Sequence, residues 1–270
     1  MTLGVVVSPP ASELELAADA LWSLGAVAVE QRDGELWTSL GEDQPWVAAA
    51  MPTTWPYRFV EMDDTAADTW RQFAQPIRIS PHLVVTPTWV PYEAAVGERV
   101  ISIEPGATFG MGDHATTVLS LQAVEALVRD GDTVLDVGCG SGVLAIAALM
   151  LGAQKAVGLD INPASVEVSR ANAKANHVAD RLAVSNTPLA DIAQARPADF
   201  DLILATILAP VLIELSDDLK RCLKPAGHLV ISGILATNYD HVLEVLLPLK
   251  VVAIATKDVW AAITLQWPQS

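Results

Sequence analysis

Two rhythms of apolar and polar positions divide the chain. Early on, the apolar runs are short and turn residues separate them closely. Leu3–Val7 reads as a strand closed by Pro9 and Pro10. Ser12 followed by Glu15 is a capping-box pattern, which predicts a helix through Leu24. Ala26–Gln31 and Glu35–Leu40 read as strands joined at Asp33-Gly34, a strong hairpin signal. A short helix around Pro45–Ala50 and a strand at Tyr57–Met62 complete β-α-β-β-α-β, the order of a ferredoxin-like module over residues 1–63. Asp64 caps a further helix to Phe73, and two short strands follow near Ile77–Ile79 and His82–Thr86. Pro76, Pro81, Pro87 and Pro91 punctuate this stretch, so 64–97 is expected to be a semi-rigid connector.

From residue 98 the rhythm changes to long alternation. Thr133–Val137, Ala156–Leu159, Leu182–Ser185, Leu202–Leu204 and His228–Ser232 are apolar runs of the kind that buried parallel strands carry. Helical patterns lie between them at Val143–Leu151, Ala164–Asn176 and Val211–Leu223. The alternation predicts an α/β fold, a doubly wound and mostly parallel sheet over 98–270, beside the smaller α+β ferredoxin-like domain. Val251–Ala255 and Trp260–Gln266 suit an antiparallel edge.

Composition narrows the class. Of 270 residues 51% are apolar and 18% charged, which excludes a wholly disordered chain. Sixteen Lys and Arg against 32 Asp and Glu leave a net charge of −16. That field repels phosphate backbones and attracts basic partners, so no direct nucleic-acid partner is expected. Cys139 and Cys222 make no disulfide framework, and a reducing cytoplasm is the simplest home. The uncharged stretch Val137–Gln154 reads as a turn and a buried helix, so no membrane partner is expected. Six of eight tryptophans precede residue 95, more suited to filling a small core than to an interface.

The chemistry concentrates at Asp136-Val137-Gly138-Cys139-Gly140-Ser141-Gly142, where a strand runs into spaced glycines and then a helix. Glycines permit positive φ and close approach of a ligand to the backbone. Dinucleotide binding wants G-x-G-x-x-G, but Val143 stands at the third position, and no Lys-Ser/Thr pair follows for a phosphate loop. Asp136 repels a pyrophosphate and suits a ligand bearing an ammonium group. Asp160, at the end of the next strand, can accept both hydroxyls of a ribose. Helix capping is the other reading of Asp160, and Asn162 fills that role better. A glycine loop, a ribose acid and an ammonium-tolerant acid describe S-adenosylmethionine better than a nicotinamide dinucleotide. Together they resemble the class I methyltransferases.

Upstream, Glu104 to Thr117 reads E-P-G-A-T-F-G-M-G-D-H-A-T-T. Its glycines surround Phe109 in a loop that can fold over a ligand, and Thr116 and Thr117 open a helix to about Val128. This segment resembles the P-G-x-A-F-G-T-G-x-H-x-T-T signature of the bacterial methyltransferases that modify large-subunit ribosomal protein L11. The likeness continues through V-L-D-V-G-C-G-S-G-V-L-A-I-A-A, G-L-D-I-N-P, Leu223-Lys224-Pro225 and Ile231–Leu235, and through Trp70–Pro91. It covers nearly the whole chain, most loosely over the first sixty residues.

The resemblance implies an N-terminal module that recognises the ribosomal protein and a C-terminal domain that methylates amines. By position it implies cofactor contacts at Thr117, Gly138, Gly140, Asp136 and Asp160. Thr206 stands where the family reads asparagine in A-N-I-L, Asp113 where it reads threonine and Ala115 where it reads proline. The reaction implied is in-line displacement at a sulfonium methyl, with S-adenosylmethionine as cofactor. Thr206 would accept from the amine and also touch the cofactor, while Phe109 would help exclude water. His114 can relay the proton or bond the loop backbone. No metal is expected, because His82, His177, His228 and His241 lack ligand spacing. Another protein or small-molecule acceptor, favoured by Thr206, and a non-catalytic cofactor-binding protein remain as alternatives; oligomeric state is left open.

Overall fold

Residues 2–23, 28–39, 54–62, 74–104 and 112–268 are described in a computed structural model. The chain divides into two units, 1–75 with 106–109 and 76–105 with 110–270. The division falls inside the span read as a connector. Its latter half contributes Ile79, Leu83 and Val85 to the hydrophobic core of the larger unit. The helices expected at Pro45–Ala50 and from Asp64 to Phe73 lie outside the described residues.

The smaller unit holds β1 (Thr2–Val7), α1 (Leu14–Ser23), β2 (Ala28–Arg32), β3 (Glu35–Ser39) and β4 (Tyr57–Met62). Its sheet order is β2-β3-β1-β4 with antiparallel neighbours throughout. β3 therefore lies between β1 and β2, the split β-α-β arrangement of a ferredoxin-like module. Asp33 and Gly34 have φ of 51° and 83°, so both take the left-handed conformation a two-residue hairpin requires. The side chain of Glu15, half of the capping box expected at the start of α1, lies outside the described residues. A 3-10 turn at Ala11–Glu13 precedes the helix, with Pro10 in the cap position and no side-chain cap bond. Proline's fixed φ turns the chain before Ser12 is reached. Val5, Val7, Ala17, Leu21, Leu36 and Trp55 form the core, and the Trp55 indole N–H donates to Glu13 at 2.6 Å. The guanidinium groups of Arg32 and Arg58 each lie over the Trp37 ring, 5.1 and 5.5 Å from its centroid.

In the larger unit seven strands form one sheet. In chain order they are β8 (Thr133–Val137), β9 (Lys155–Leu159), β10 (Leu182–Ser185), β11 (Phe200–Thr206), β12 (Leu223–Leu235), β13 (Lys250–Lys257) and β14 (Trp260–Gln266). The spatial order is β10-β9-β8-β11-β12-β14-β13. β8 to β12 run parallel, and β14 is antiparallel to both neighbours, as the last two apolar runs suggest. The crossovers are α2 (Ala115–Leu127) before β8, then α3 (Val143–Met150), α4 (Pro163–Ala175), α5 (Leu189–Ala195), α6 (Ala209–Cys222) and α7 (Asp240–Val245).

Successive residues of a central strand enter different cores. Val134, Leu202 and Leu204 join the cluster around α2 and α3, whereas Leu135, Ile203 and Ala205 join the one around α6 and α7. Burial on both faces is why apolar residues run without a break through Leu202–Ala205 of β11. A three-stranded sheet of β5 (Ile77–Arg78), β6 (Leu83–Pro87) and β7 (Arg99–Ile103) adds its buried face to the first cluster. Among the described residues, no helix is long and apolar enough to cross a membrane.

Candidate functional site

The chain order of the large sheet reverses at one point. From β8 it steps outward through β9 and β10, then returns to the other side of β8 as β11. Helices leave in opposite directions there, so a crevice opens at the carboxyl ends of β8 and β11, where ligands bind in sheets of this kind. Val137 pairs with Leu159 on one side and Ala205 on the other. The next residue of each strand therefore brings Asp160, Gly138 and Thr206 into one row.

The glycine loop is built into this row. Its first amides, Gly138 N–H and Cys139 N–H, both donate to the Leu159 carbonyl, at 2.8 and 3.0 Å. Gly138 has φ of 74°, and a Cβ on it would lie 2.4 Å from Cγ2 of Ile207. Only glycine fits so close to the turn that follows β11.

Asp160 is held by its own neighbourhood. Its Oδ2 accepts from Gly140 N–H and its Oδ1 from Asn162 N–H, each at 2.9 Å. A carboxylate has about four lone-pair positions, so one on each oxygen is left for a pair of hydroxyls. Asn162 caps α4, accepting from Ala164 N–H at 2.9 Å, which frees Asp160 from that task.

Asp136 is fully buried. Its side chain shares the α3 side of the sheet with Val134, and Oδ2 accepts from Ala145 N–H at 3.2 Å. Oδ1 has no hydrogen-bond partner among the described residues. Burial pushes the pKa up to about 7, and the charge of Asp160 adds to the rise. A buried carboxylate with one oxygen unpaired favours a cationic donor. A buried carboxylate with an unpaired oxygen, a second carboxylate with lone pairs to spare and a backbone turn open to close approach thus lie near the carboxyl ends of β8 and β9.

His114 is the N-cap of α2: Nδ1 lies 2.7 Å from Thr116 Oγ1 and 3.4 Å from Thr116 N. These bonds go to the first turn of the helix and not to the preceding loop, so histidine rather than a threonine caps α2. Thr116 and Thr117 are buried in the first turn. Phe109 lies outside the described residues. Thr206 is half-buried at the end of β11, with its hydroxyl 2.9 Å from that of fully buried Ser120.

Ser120 was not evident from the motifs, nor was the polar face of α4. Ser165, Ser169 and Asn172 are all buried there. Ser169 donates to the Gly140 carbonyl at 2.7 Å, and Asn172 to that of Ser141 at 2.9 Å. The readable signal is their spacing on one helical face beside a buried sheet, where apolar residues are the rule. Among the described residues no group of three potential metal ligands occurs.

The chain is similar to known proteins. The sequence profile of the family described as Ribosomal protein L11 methyltransferase (PrmA) matches residues 53–267. A protein of Streptococcus pyogenes serotype M4 (strain MGAS10750) named Ribosomal protein L11 methyltransferase is 42% identical over 178 residues, 66% of this chain and 55% of its own length. Its counterpart in serotype M28 (strain MGAS6180) is 41% identical over the same extent. The chain thus spans about half the length of the curated relatives it matches. A crystal structure of a ribosomal protein L11 methylase from Lactobacillus delbrueckii subsp. bulgaricus superimposes with a TM-score of 0.65 at 31% identity, covering 72% of this chain and 98% of that one.

Proposed function

The chain belongs to the ribosomal protein L11 methyltransferase family, and on that premise we propose that it transfers methyl groups from S-adenosylmethionine to lysine or N-terminal amines of ribosomal protein L11. The observation that carries the reading is the pair of carboxylates flanking the glycine loop, Asp160 anchored by two backbone amides and Asp136 buried with one oxygen unpaired. Asp160 would receive the ribose hydroxyls, Asp136 would face the ammonium group, and the glycines would admit the ligand against the backbone. When bound, the cofactor supplies an electrophilic methyl on a sulfonium sulfur.

The protein's task is then to present a neutral amine. A lysine with pKa near 10.4 is only about 0.1% neutral at pH 7.4, a cost of roughly 4 kcal/mol that desolvation reduces. Thr206 would accept a hydrogen bond from that amine, with Ser120 holding its hydroxyl in place. A net charge of −16 speeds encounter with a basic ribosomal protein, and the smaller unit would recognise it. The two cysteines, free and buried, fit a cytoplasmic enzyme.

Thr206 also favours a second reading, another protein or small-molecule acceptor, since its side chain is shorter than asparagine's and ends in a hydroxyl. Labelled S-adenosylmethionine incubated with purified ribosomal protein L11, beside a lysate of the same organism, separates the readings. Label on L11 supports the first, and label only on another species supports the second. Cofactor binding with no label anywhere would leave a non-catalytic binding protein.

A further inference from the structure

Helix α4 carries a pair of asparagines whose amides make ladder-like bonds with a strand. Asn172 accepts from Glu104 N–H and donates to Glu104 C=O, both at 2.9 Å. One turn later Asn176 does the same with Ser102, accepting at 2.8 Å and donating at 2.7 Å. Ser102 and Glu104 are alternate residues, about 7 Å apart along an extended chain. Four helical residues advance about 6 Å. The two side chains therefore fit one edge of β7 and its end as a neighbouring strand would, opposite the edge that β6 occupies.

The two amides differ in their remaining donor. Asn176 gives its other N–H to the Asn172 carbonyl within the helix, at 2.8 Å. Asn172 gives its own to the carbonyl of Ser141 in the glycine loop, at 2.9 Å. Asn172 is buried, so losing any of these bonds strands a polar group away from water. Gly142 of the same loop packs close to this helix: a Cβ there would come 3.0 Å from the Ser169 hydroxyl.

We propose that Asn172 is a positioning residue for the cofactor site, bolting the Ser141 carbonyl of the glycine loop to the end of β7 so that the loop is held in shape before ligand arrives. The inference rests on the reading of this loop as the S-adenosylmethionine site. It asks nothing of Asn172 as a direct ligand contact.

Three full-length proteins test it: wild type, Asn172→Ala and Asn176→Ala. The probe is S-adenosylhomocysteine, titrated by calorimetry. Asn172→Ala is expected to raise Kd by about tenfold or more, the factor a lost buried hydrogen bond produces. Asn176→Ala loses an equivalent set of bonds to β7 but none to the loop, and should bind within about twofold of wild type. Unchanged affinity in Asn172→Ala, or equal weakening in both variants, overturns the proposal. The second result would mean that any damage to the α4–β7 seam is felt at the site.

Hydrogen exchange at the Gly142 amide, which donates to Cys139 C=O at 2.7 Å, supplies a readout without ligand. It should quicken about tenfold or more in Asn172→Ala alone, and equal rates in all three proteins refute the bolt. If wild type binds no S-adenosylhomocysteine, the assignment of the site has failed, and the exchange data still decide the role of Asn172. Should the alanine variant not fold, Asn172→Ser, whose short side chain cannot reach both Glu104 and the Ser141 carbonyl, is read by the same criteria.

Discussion

Replacing Asp136 by asparagine should make the protein more stable at neutral pH while weakening its hold on cofactor. Asp136 is fully buried, and burial pushes its pKa from 3.8 up to about 7. Between those values the folded protein keeps a proton that the unfolded chain releases. Stability therefore falls as pH rises through this window and levels off above it. At about 1.4 kcal/mol per unit, the full penalty at pH 8 is roughly 4 kcal/mol. Asparagine carries no charge and can still accept from Ala145 N–H. Its amide nitrogen, placed where Oδ1 now lies, costs about 1–3 kcal/mol as an unpaired donor. The net gain at pH 8 is then about 1–3 kcal/mol.

The pH dependence is the sharper signature. Urea unfolding followed by circular dichroism, at pH 5.5 and pH 8, should show the advantage of Asp136→Asn growing by about 2 kcal/mol between the two. A difference that stays constant would refute the burial argument, whatever its size. Calorimetry with S-adenosylhomocysteine completes the test. A variant that gains stability and keeps full affinity would show that the carboxylate is not used by the ligand.

Other residues give independent checks. Asp160→Ala should abolish S-adenosylhomocysteine binding while the far-ultraviolet spectrum stays native, and unchanged affinity by calorimetry would remove the ribose assignment. Gly138→Ala places a Cβ 2.4 Å from Ile207 at φ of 74°, so it should lose binding and about 2 kcal/mol of stability, read by urea unfolding; wild-type values would mean the turn is relaxed elsewhere. Ser120→Ala should lower kcat for methyl transfer about tenfold with a smaller rise in cofactor Kd, because it frees the Thr206 hydroxyl without touching the glycine loop; an equal loss of cofactor affinity would assign Ser120 to binding. Burial pushes the Cys139 thiol well above its usual range and that of Cys222 to about 11. Neither should react with a disulfide reagent at pH 8 until denaturant is added, and prompt labelling would contradict their burial.

Much of the fold is written locally. The apolar runs at Thr133–Val137 and Leu182–Ser185 have the observed strand limits, since Gly131 and Gly138 bracket the first and Asn186 and Pro188 follow the second. Asp33-Gly34 predicts its hairpin because few residues tolerate two successive positive φ angles. The glycine loop and Asp160 are legible because their chemistry is carried by residue type at short spacing. Short elements were less readable. α5 and α7 have seven and six residues, too few for a periodic pattern to stand out from their loops. β7 hides behind the prolines of the span read as a connector.

Sequence alone determined the parallel sheet with its smaller companion sheet, and pointed to the glycine loop and its two acids as the candidate site, because each depends on conformational preference or chemistry within a few residues. Tertiary structure decided which oxygen of Asp136 is left unpaired, that Ser120 stands 2.9 Å from Thr206 across 86 residues of chain, and that Asn172 joins Glu104 to Ser141. A serine or asparagine in a helix reads as surface until packing turns its face inward. Once water is excluded, every donor and acceptor on that face must find a partner within the protein, and only the folded arrangement of distant segments determines which partner that is.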